Sequence, residues 1–139
     1  MEKYSVELTG EQIHILCQAL ESFTRLGIGQ LETVLQDLGF HSFDQFQEVM
    51  TTINGDLEYL AAVQTIKKKI FDQPMNGSYS IHNERVGDNF KCSYDMWQVL
   101  RNRVAWDKNP SGGITSDYNE PNKLSTHELI KIKKKTVHP

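Results

Sequence analysis

Much of what would assign this chain of 139 residues to a familiar class is missing from it. No apolar run approaches the roughly 20 residues that a membrane-spanning helix needs, so we expect no membrane association. The opening residues 1–7 lack the apolar core of a signal peptide. The two cysteines, Cys17 and Cys92, share no motif, which fits a protein of the reducing cytoplasm.

Motifs for metals, cofactors and covalent catalysis are lacking as well. The glycines that follow Arg25 are not a Walker or dinucleotide fingerprint, because no strand precedes them and their spacing differs. No Ser or Cys nucleophile motif is present. Four of the five histidines are scattered without metal-ligand spacing: His14, His41, His127 and His138. The sequence therefore predicts neither a metal nor a cofactor, and not an enzyme.

Charge is divided unevenly along the chain. Residues 1–107 hold nine Lys or Arg against fifteen Asp or Glu, whereas residues 108–139 hold six against three. An acidic body argues against duplex nucleic acid as a partner, since that partner needs a broad basic face. It is compatible with a small anionic ligand held by a few arginines.

The clearest structural prediction is a helix that starts after Thr9. Thr9 and Gln12 have the spacing of a capping box, in which each side chain bonds the backbone N–H of the other residue. Apolar residues then recur at intervals of three and four, which places them on one face: Ile13, Leu16, Cys17, Leu20, Phe23 and Leu26. We expect Gly27 to end this helix in a left-handed conformation.

The remaining pattern predicts a mainly α fold of four or five short helices in one small domain. The further helices are expected at residues 31–38, ended by Gly39, at 42–53, at 56–70 and at 88–106, with Asp56 and Asp88 as caps. Lys67–Lys69 would complement the dipole of the fourth helix from its last turn. Residues 4–8 and 79–82 could add a minor β element.

The predicted domain boundary lies between residues 107 and 108. From residue 109 onward Pro, Gly, Asn and Ser dominate, and a lysine-rich run closes the segment. Such composition is typical of segments that cannot bury a core. We therefore expect a helical domain at 1–107 and a flexible or partly ordered C-terminal tail at 108–139.

One stretch, residues 79–106, mixes arginines with aromatic residues in a way that suits a nucleotide-like anion. Aromatic faces stack on bases, and guanidinium groups form forked contacts with phosphate. Arg101 and Arg103 are two apart on one helix and face different directions, and Arg101 lies nearer the side of Tyr94 and Trp97. The alternative is that the two aromatic residues pack in the core and that Arg101 pairs with a nearby aspartate, Asp95 or Asp107.

Two further groups could contribute. His82 follows a flexible loop and could donate to an anion or act as an acid or base with Asp95, although a structural histidine is the ordinary alternative. Arg25 precedes glycines and a helix start, where backbone amides favour an anion, although the glycines could serve only a tight turn. The full candidate set is Arg25, Tyr79, His82, Arg85, Tyr94, Trp97, Gln98, Arg101 and Arg103.

Three stretches of the chain carry a resemblance to small uncharacterised proteins of bacteriophages and prophages. They are residues 8–12 (LTGEQ), residues 25–32 (RLGIGQLE) and residues 79–106, where YSIH is followed by YDMWQVLR and AW. The resemblance covers residues 6–107 without the middle helices, and departs mildly at Thr24, Ser93 and Leu100. It implies a phage accessory protein, a class that often counters host defence, in some cases by binding a host nucleotide signal without cleaving it.

The leading hypothesis is accordingly a non-enzymatic protein of the host cytoplasm that sequesters a small nucleotide-type signal, expected as a homo-oligomer. Phosphates would contact Arg101, Arg25 and Arg85 or Arg103, bases would stack on Tyr79, Tyr94 or Trp97, and His82 and Gln98 would bind polar edges. One alternative is an inhibitor that binds a host protein complex through an acidic helical surface. Another is a small hydrolase that uses His82 and Asp95.

Overall fold

The structure, a computed structural model, describes residues 1–37 and 57–136. It confirms the mainly α prediction with helices α1 (Gly10–Gly27), α2 (Leu31–Asp37), α3 (Leu57–Phe71) and α4 (Asp88–Lys108), followed by a short 3-10 helix (Ser116–Tyr118). The predicted helix at 42–53, its capping box, the stop at Gly39 and the cap at Asp56 lie outside the described residues.

No strand occurs within the described residues, so the minor β element is absent there. Residues 4–8 have no regular structure. The backbone N–H of Tyr79 donates to Ile28 O at 2.8 Å, and the chain turns directly afterwards with Asn83 N–H on Ser80 O at 2.9 Å. Residues 79–82 therefore enter a turn before they could form a ladder with another strand.

The chain forms two compact units. The first combines Met1–Glu21 with Asp88–Pro139, and the second is Ser22–Gly87. Helix α1 begins in the first unit and ends in the second. The predicted boundary at 107/108 falls near the end of α4, inside the first unit.

Both ends of α1 follow from local chemistry. The capping box is formed in full, since Thr9 N donates to Gln12 Oε1 at 2.9 Å and Gln12 N donates to Thr9 Oγ1 at 3.2 Å. At the other end the left-handed residue is Gly29, with φ +87°, and not Gly27 as predicted. Gly29 N bonds Leu26 O at 3.2 Å, and the next amide bonds Arg25 O at 2.9 Å, which is the Schellman pattern.

The second unit is organised around a buried lysine. Lys67 of α3 has no exposed surface, and its Nζ lies 2.8 Å from Glu32 Oε2 of α2 and 2.7 Å from Gly77 O. Lys68 and Lys69 lie on the last turn of α3 as predicted, whereas Lys67 precedes that turn and is buried. The apolar stem and the paired ammonium let this lysine occupy a position normally reserved for a hydrophobic residue.

In the first unit α4 holds the segment that follows it. Asp95 is buried and accepts hydrogen bonds from Leu124 N and Ser125 N, both at 2.9 Å, and from Ser125 Oγ at 2.7 Å. Asp88, the first residue of α4, accepts from Thr126 N at 2.9 Å and Thr126 Oγ1 at 2.6 Å. The region predicted as a tail thus has little regular structure, but two carboxylates fix its residues 124–126 on the helix.

Candidate ligand-binding cleft

A cleft of about 180 Å³ runs along α4 in the first unit. One wall comes from the helix, where positions 94, 97, 98 and 101 share a face because they are spaced by three and four residues. The other wall comes from residues 116–122. The lining residues are Tyr94, Trp97, Gln98 and Arg101 on the helix side, and Ser116, Asp117, Asn119, Glu120 and Asn122 opposite.

Arg101 is the positively charged side chain among the described residues that line the cleft. Its guanidinium carbon lies 4.5 Å from the centre of the Trp97 ring. Its Nη2 lies 2.7 Å from Asp117 Oδ1 and 2.9 Å from Asp117 Oδ2. The arginine therefore has an aspartate partner, but this is Asp117 and not Asp95 or Asp107 as the alternative interpretation expected.

The aromatic pair borders the same cleft. The ring centres of Tyr94 and Trp97 are 5.6 Å apart, with planes inclined by 38°. Both side chains are half-buried and line the cleft. The two side chains pack on each other, as expected of core residues, and they also present surface to the cavity, as expected of ligand contacts.

Gln98 bonds the backbone of the opposite wall, a contact that the sequence does not predict. Its Nε2 donates to Asn122 O at 3.3 Å, and its Oε1 accepts from Asn122 N at 3.3 Å. This two-way pair resembles one step of a β ladder made by a side chain. Gln98 therefore fixes the opposite wall, and its carboxamide is engaged before any ligand arrives.

Two more α4 side chains hold the far wall in place. Asn102 Nδ2 donates to Asp117 O and to Asn119 O, both at 2.9 Å. The Trp106 indole N–H donates to Tyr118 O at 3.3 Å, and the two rings meet edge to face at 5.3 Å. Gly112, with φ +83°, makes the tight return, since a Cβ there would lie 3.1 Å from the Trp106 ring.

Sequence reasoning missed the far wall, chiefly Asp117, Asn119 and Glu120. The composition of this segment occurs in disordered tails and in ordered loops alike. Composition alone therefore does not distinguish a flexible tail from the ordered wall. A usable signal was present on α4, where Gln98, Asn102 and Trp106 recur every four residues. Side chains with amide or indole N–H groups in one stripe indicate that something polar packs along that face.

Of the other predicted residues, Arg103 lies outside the cleft. It binds Asp107 on its own helix, with Nη2 to Oδ1 at 2.6 Å and Nε to Oδ2 at 3.1 Å. This agrees with the helical geometry, because residues two apart on a helix face different directions. Arg101 is the one of the two that lines the cleft.

The remaining four predicted residues lie in the second unit and make local contacts. Tyr79 donates from its hydroxyl to Phe71 O at 2.5 Å and accepts from Arg85 Nη1 at 3.2 Å. Arg25 Nη1 donates to Gln30 Oε1 at 2.6 Å. His82 is exposed, and its backbone N–H donates to Ser80 Oγ at 3.3 Å.

The amides near Arg25 are used within the chain. Those of Gly29 and Gln30 donate to carbonyls at the end of α1. The glycine segment therefore serves the tight turn, which was the alternative to an anion site.

Four titratable side chains of the first unit have pKa values or hydrogen bonds set by their surroundings. Burial raises the pKa of the Cys17 and Cys92 thiols, so that both are poor nucleophiles near neutral pH. The Asp95 carboxylate binds two backbone amides and a hydroxyl, which makes it a structural group. Hydrogen bonds from Thr126 lower the pKa of the Asp88 carboxyl.

Residues 1–37 and 57–136 contain no group of three or more His, Cys, Asp or Glu side chains arranged to hold a metal. None of the helices described there is both long and apolar enough to cross a bilayer.

Comparison of the chain with protein-family models, curated proteins and solved structures gives no match. The geometry of the cleft therefore carries the functional argument.

Proposed function

We propose that this chain is a phage-type accessory protein that binds a nucleotide-like signalling molecule in the α4 cleft and sequesters it unchanged. The observation that carries the proposal is the convergence of Tyr94, Trp97 and Arg101 on one cavity with a polar far wall. Aromatic surface suits a base, and a guanidinium suits a phosphate. The expected setting is the cytoplasm of a bacterial host, where the ligand would be removed from a defence pathway.

The size of the cleft limits which part of the ligand can enter. At about 180 Å³ it is smaller than the roughly 300–1,000 Å³ of pockets that enclose whole drug-sized ligands. A single planar ring with one phosphate on Arg101 is the natural occupant, and the rest of the ligand would remain at the mouth. A homo-oligomer, in which a second copy covers the mouth, is part of the proposal.

The side chains in the cleft favour binding over turnover. Among the described residues that line it there is no histidine, cysteine or lysine, so the Ser116 hydroxyl has none of these neutral-pH bases within the lining to activate it. Of its two carboxylates, Asp117 is paired with Arg101. Retention of an intact ligand is the outcome that this composition supports.

The test is native mass spectrometry of the purified protein with a panel of cyclic oligonucleotides and ADP-ribose derivatives. Bound material is then released by denaturation and its mass determined. The wild-type protein should retain one panel member intact, whereas Trp97→Ala and Arg101→Ala should each lose about tenfold or more in affinity. Arg103→Ala is the matched control, because Arg103 lies on the same helix and pairs with Asp107 outside the cleft.

Three outcomes would overturn the proposal. Release of a chemically altered ligand would mean that the protein is an enzyme. Failure of the whole panel to bind, or an equal loss in the Arg103 and Arg101 variants, would remove the cleft from consideration as the binding site.

A further inference from the structure

Asp117 occupies the position on Arg101 that an anionic ligand needs. Both carboxylate oxygens lie within 2.9 Å of Arg101 Nη2, while the guanidinium also stacks on Trp97. Carboxylates and phosphates use the same planar donors of arginine. A phosphate cannot bind Arg101 Nη2 while Asp117 remains there.

The charges around the cleft also disfavour the binding of a free anion to Arg101. Among the described residues that line it, Arg101 is the single cation, whereas Asp117 and Glu120 are both acidic. The rim formed by these three side chains is therefore net negative. A free anion gains little on approach, because the attraction of Arg101 is offset by Asp117 at close range.

The backbone around Asp117 is held by contacts that do not involve the Asp117 carboxylate. Asn102 binds the carbonyl oxygens of Asp117 and Asn119, and Trp106 binds that of Tyr118. These contacts hold the backbone of the short 3-10 helix whatever the Asp117 carboxylate does. The ion pair itself is partly exposed, at 40% for Arg101 and 28% for Asp117, so breaking it carries a small cost.

We propose that Asp117 is the specificity-determining residue of the cleft, an internal carboxylate that a ligand phosphate must displace from Arg101 by rotation of the Asp117 side chain. The inference rests on the proposed function of the cleft. Free phosphate and pyrophosphate bind poorly, because they gain only the exchange of one anion for another. A nucleotide binds because stacking of its base on Tyr94 and Trp97 supplies the additional free energy.

The experiment compares Asp117→Asn with wild type by isothermal titration calorimetry with inorganic pyrophosphate. The amide keeps the size of the side chain and removes its charge, so pyrophosphate affinity should rise about fivefold, at the upper end of what an exposed ion pair contributes. Glu120→Gln is the matched control: it removes a charge from the same rim without touching Arg101, and it should change affinity less than twofold. Asp117→Ser serves as a second variant, with thermal unfolding confirming that each protein is folded.

Equal gains in the Asp117 and Glu120 variants would overturn the inference, since general charge reduction would then explain both. No gain in either Asp117 variant would also overturn it. The nucleotide panel separates this failure from that of the proposed function. If a nucleotide binds wild type and Asp117→Asn with the same affinity, the displacement of Asp117 by phosphate is rejected and the binding function stands. If no member of the panel binds, the binding function itself is rejected.

Discussion

Lys67 and Glu32 form an ion pair in which the lysine side chain is wholly inaccessible and the glutamate is 13% exposed. Lys67 Nζ lies 2.8 Å and 3.0 Å from the two carboxylate oxygens, and its third bond is to Gly77 O at 2.7 Å. All three protons of the ammonium therefore have acceptors. One lysine joins α2, α3 and the loop after α3, so the second unit depends on it.

Lys67→Met should destabilise the protein strongly. The thioether fills most of the volume, but Glu32 is left as a largely buried charge without its partner, which typically costs about 3–5 kcal/mol. Urea unfolding followed by circular dichroism measures the effect. Lys68→Ala is the control: it removes the neighbouring lysine, which pairs with Asp72 on an exposed surface, and should cost less than about 1 kcal/mol.

The double variant Lys67→Met with Glu32→Leu sharpens this test. If the loss in the single variant comes from the uncompensated Glu32 charge, removing that charge should restore part of the stability. A double variant that is as unstable as the sum of the two single ones would show that volume, and not charge, controls this site.

Gly29→Ala should also be destabilising, by about 2 kcal/mol. Gly29 has φ +87°, which costs an L-residue roughly 1 kcal/mol or more, and a Cβ there would overlap the Gln73 carboxamide. The matched control is Gly10→Ala at the start of the same helix, where a Cβ meets open space and alanine favours the helix. Thermal unfolding of the two variants should move in opposite directions, and equal shifts would contradict the assignment of Gly29 as the helix stop.

The sequence predicted α1 well because its signals are local. A capping box and a three-four stripe involve residues within one or two turns, and both hydrogen bonds of the Thr9–Gln12 box are present. The exact position of the left-handed glycine was missed, because Gly27 and Gly29 are both compatible with a helix end. In the structure Gly29 takes the left-handed conformation and lies against the Gln73 carboxamide, a contact distant in sequence that the local pattern does not show.

For a similar reason, the sequence predicts the helix side of the candidate site but not its far wall. Spacing along one helix sufficed to place Tyr94, Trp97 and Arg101 on one face. Asp117 was missed because its role depends on a return of the chain that is set by the turn at Gly112 and by Asn102. The burial of Lys67 was likewise invisible, since a lysine in a charged triplet gives no sign that a partner lies 35 residues earlier.

The acid side of the stability profile should depend on Thr126. Its hydroxyl and backbone N–H lower the pKa of the Asp88 carboxyl, so the charged form is favoured in the folded state. A lowered folded-state pKa contributes stability above the ordinary value of 3.8, and the contribution is lost as the pH falls through the folded-state pKa. Thr126→Val removes the hydroxyl donor and should raise the pKa of Asp88 towards its ordinary value.

A carbon-detected NMR titration of the Asp88 side chain in the wild-type and Thr126→Val proteins measures this change directly. His127 Nε2 lies 3.4 Å from Asp88 Oδ2, and it provides the control. His127→Gln should move the pKa of Asp88 less than Thr126→Val does, since the hydroxyl hydrogen bond is the larger cause. The reverse order would assign the lowered pKa to the histidine charge.

Asp95→Ala should release the C-terminal segment from α4. The carboxylate is 2% exposed and binds Leu124 N, Ser125 N and Ser125 Oγ, and hydrogen bonds to a charged acceptor contribute about 1.5–3 kcal/mol each to local stability. Trypsin should then cut after Lys123 and Lys131 much faster than in wild type, while α4 itself stays folded. Asp107→Ala, which breaks only the Arg103 pair, should leave the cleavage rate unchanged. An Asp95 variant as resistant as wild type would show that the other contacts of the segment, among them that of Asp88 with Thr126, suffice to hold it on α4.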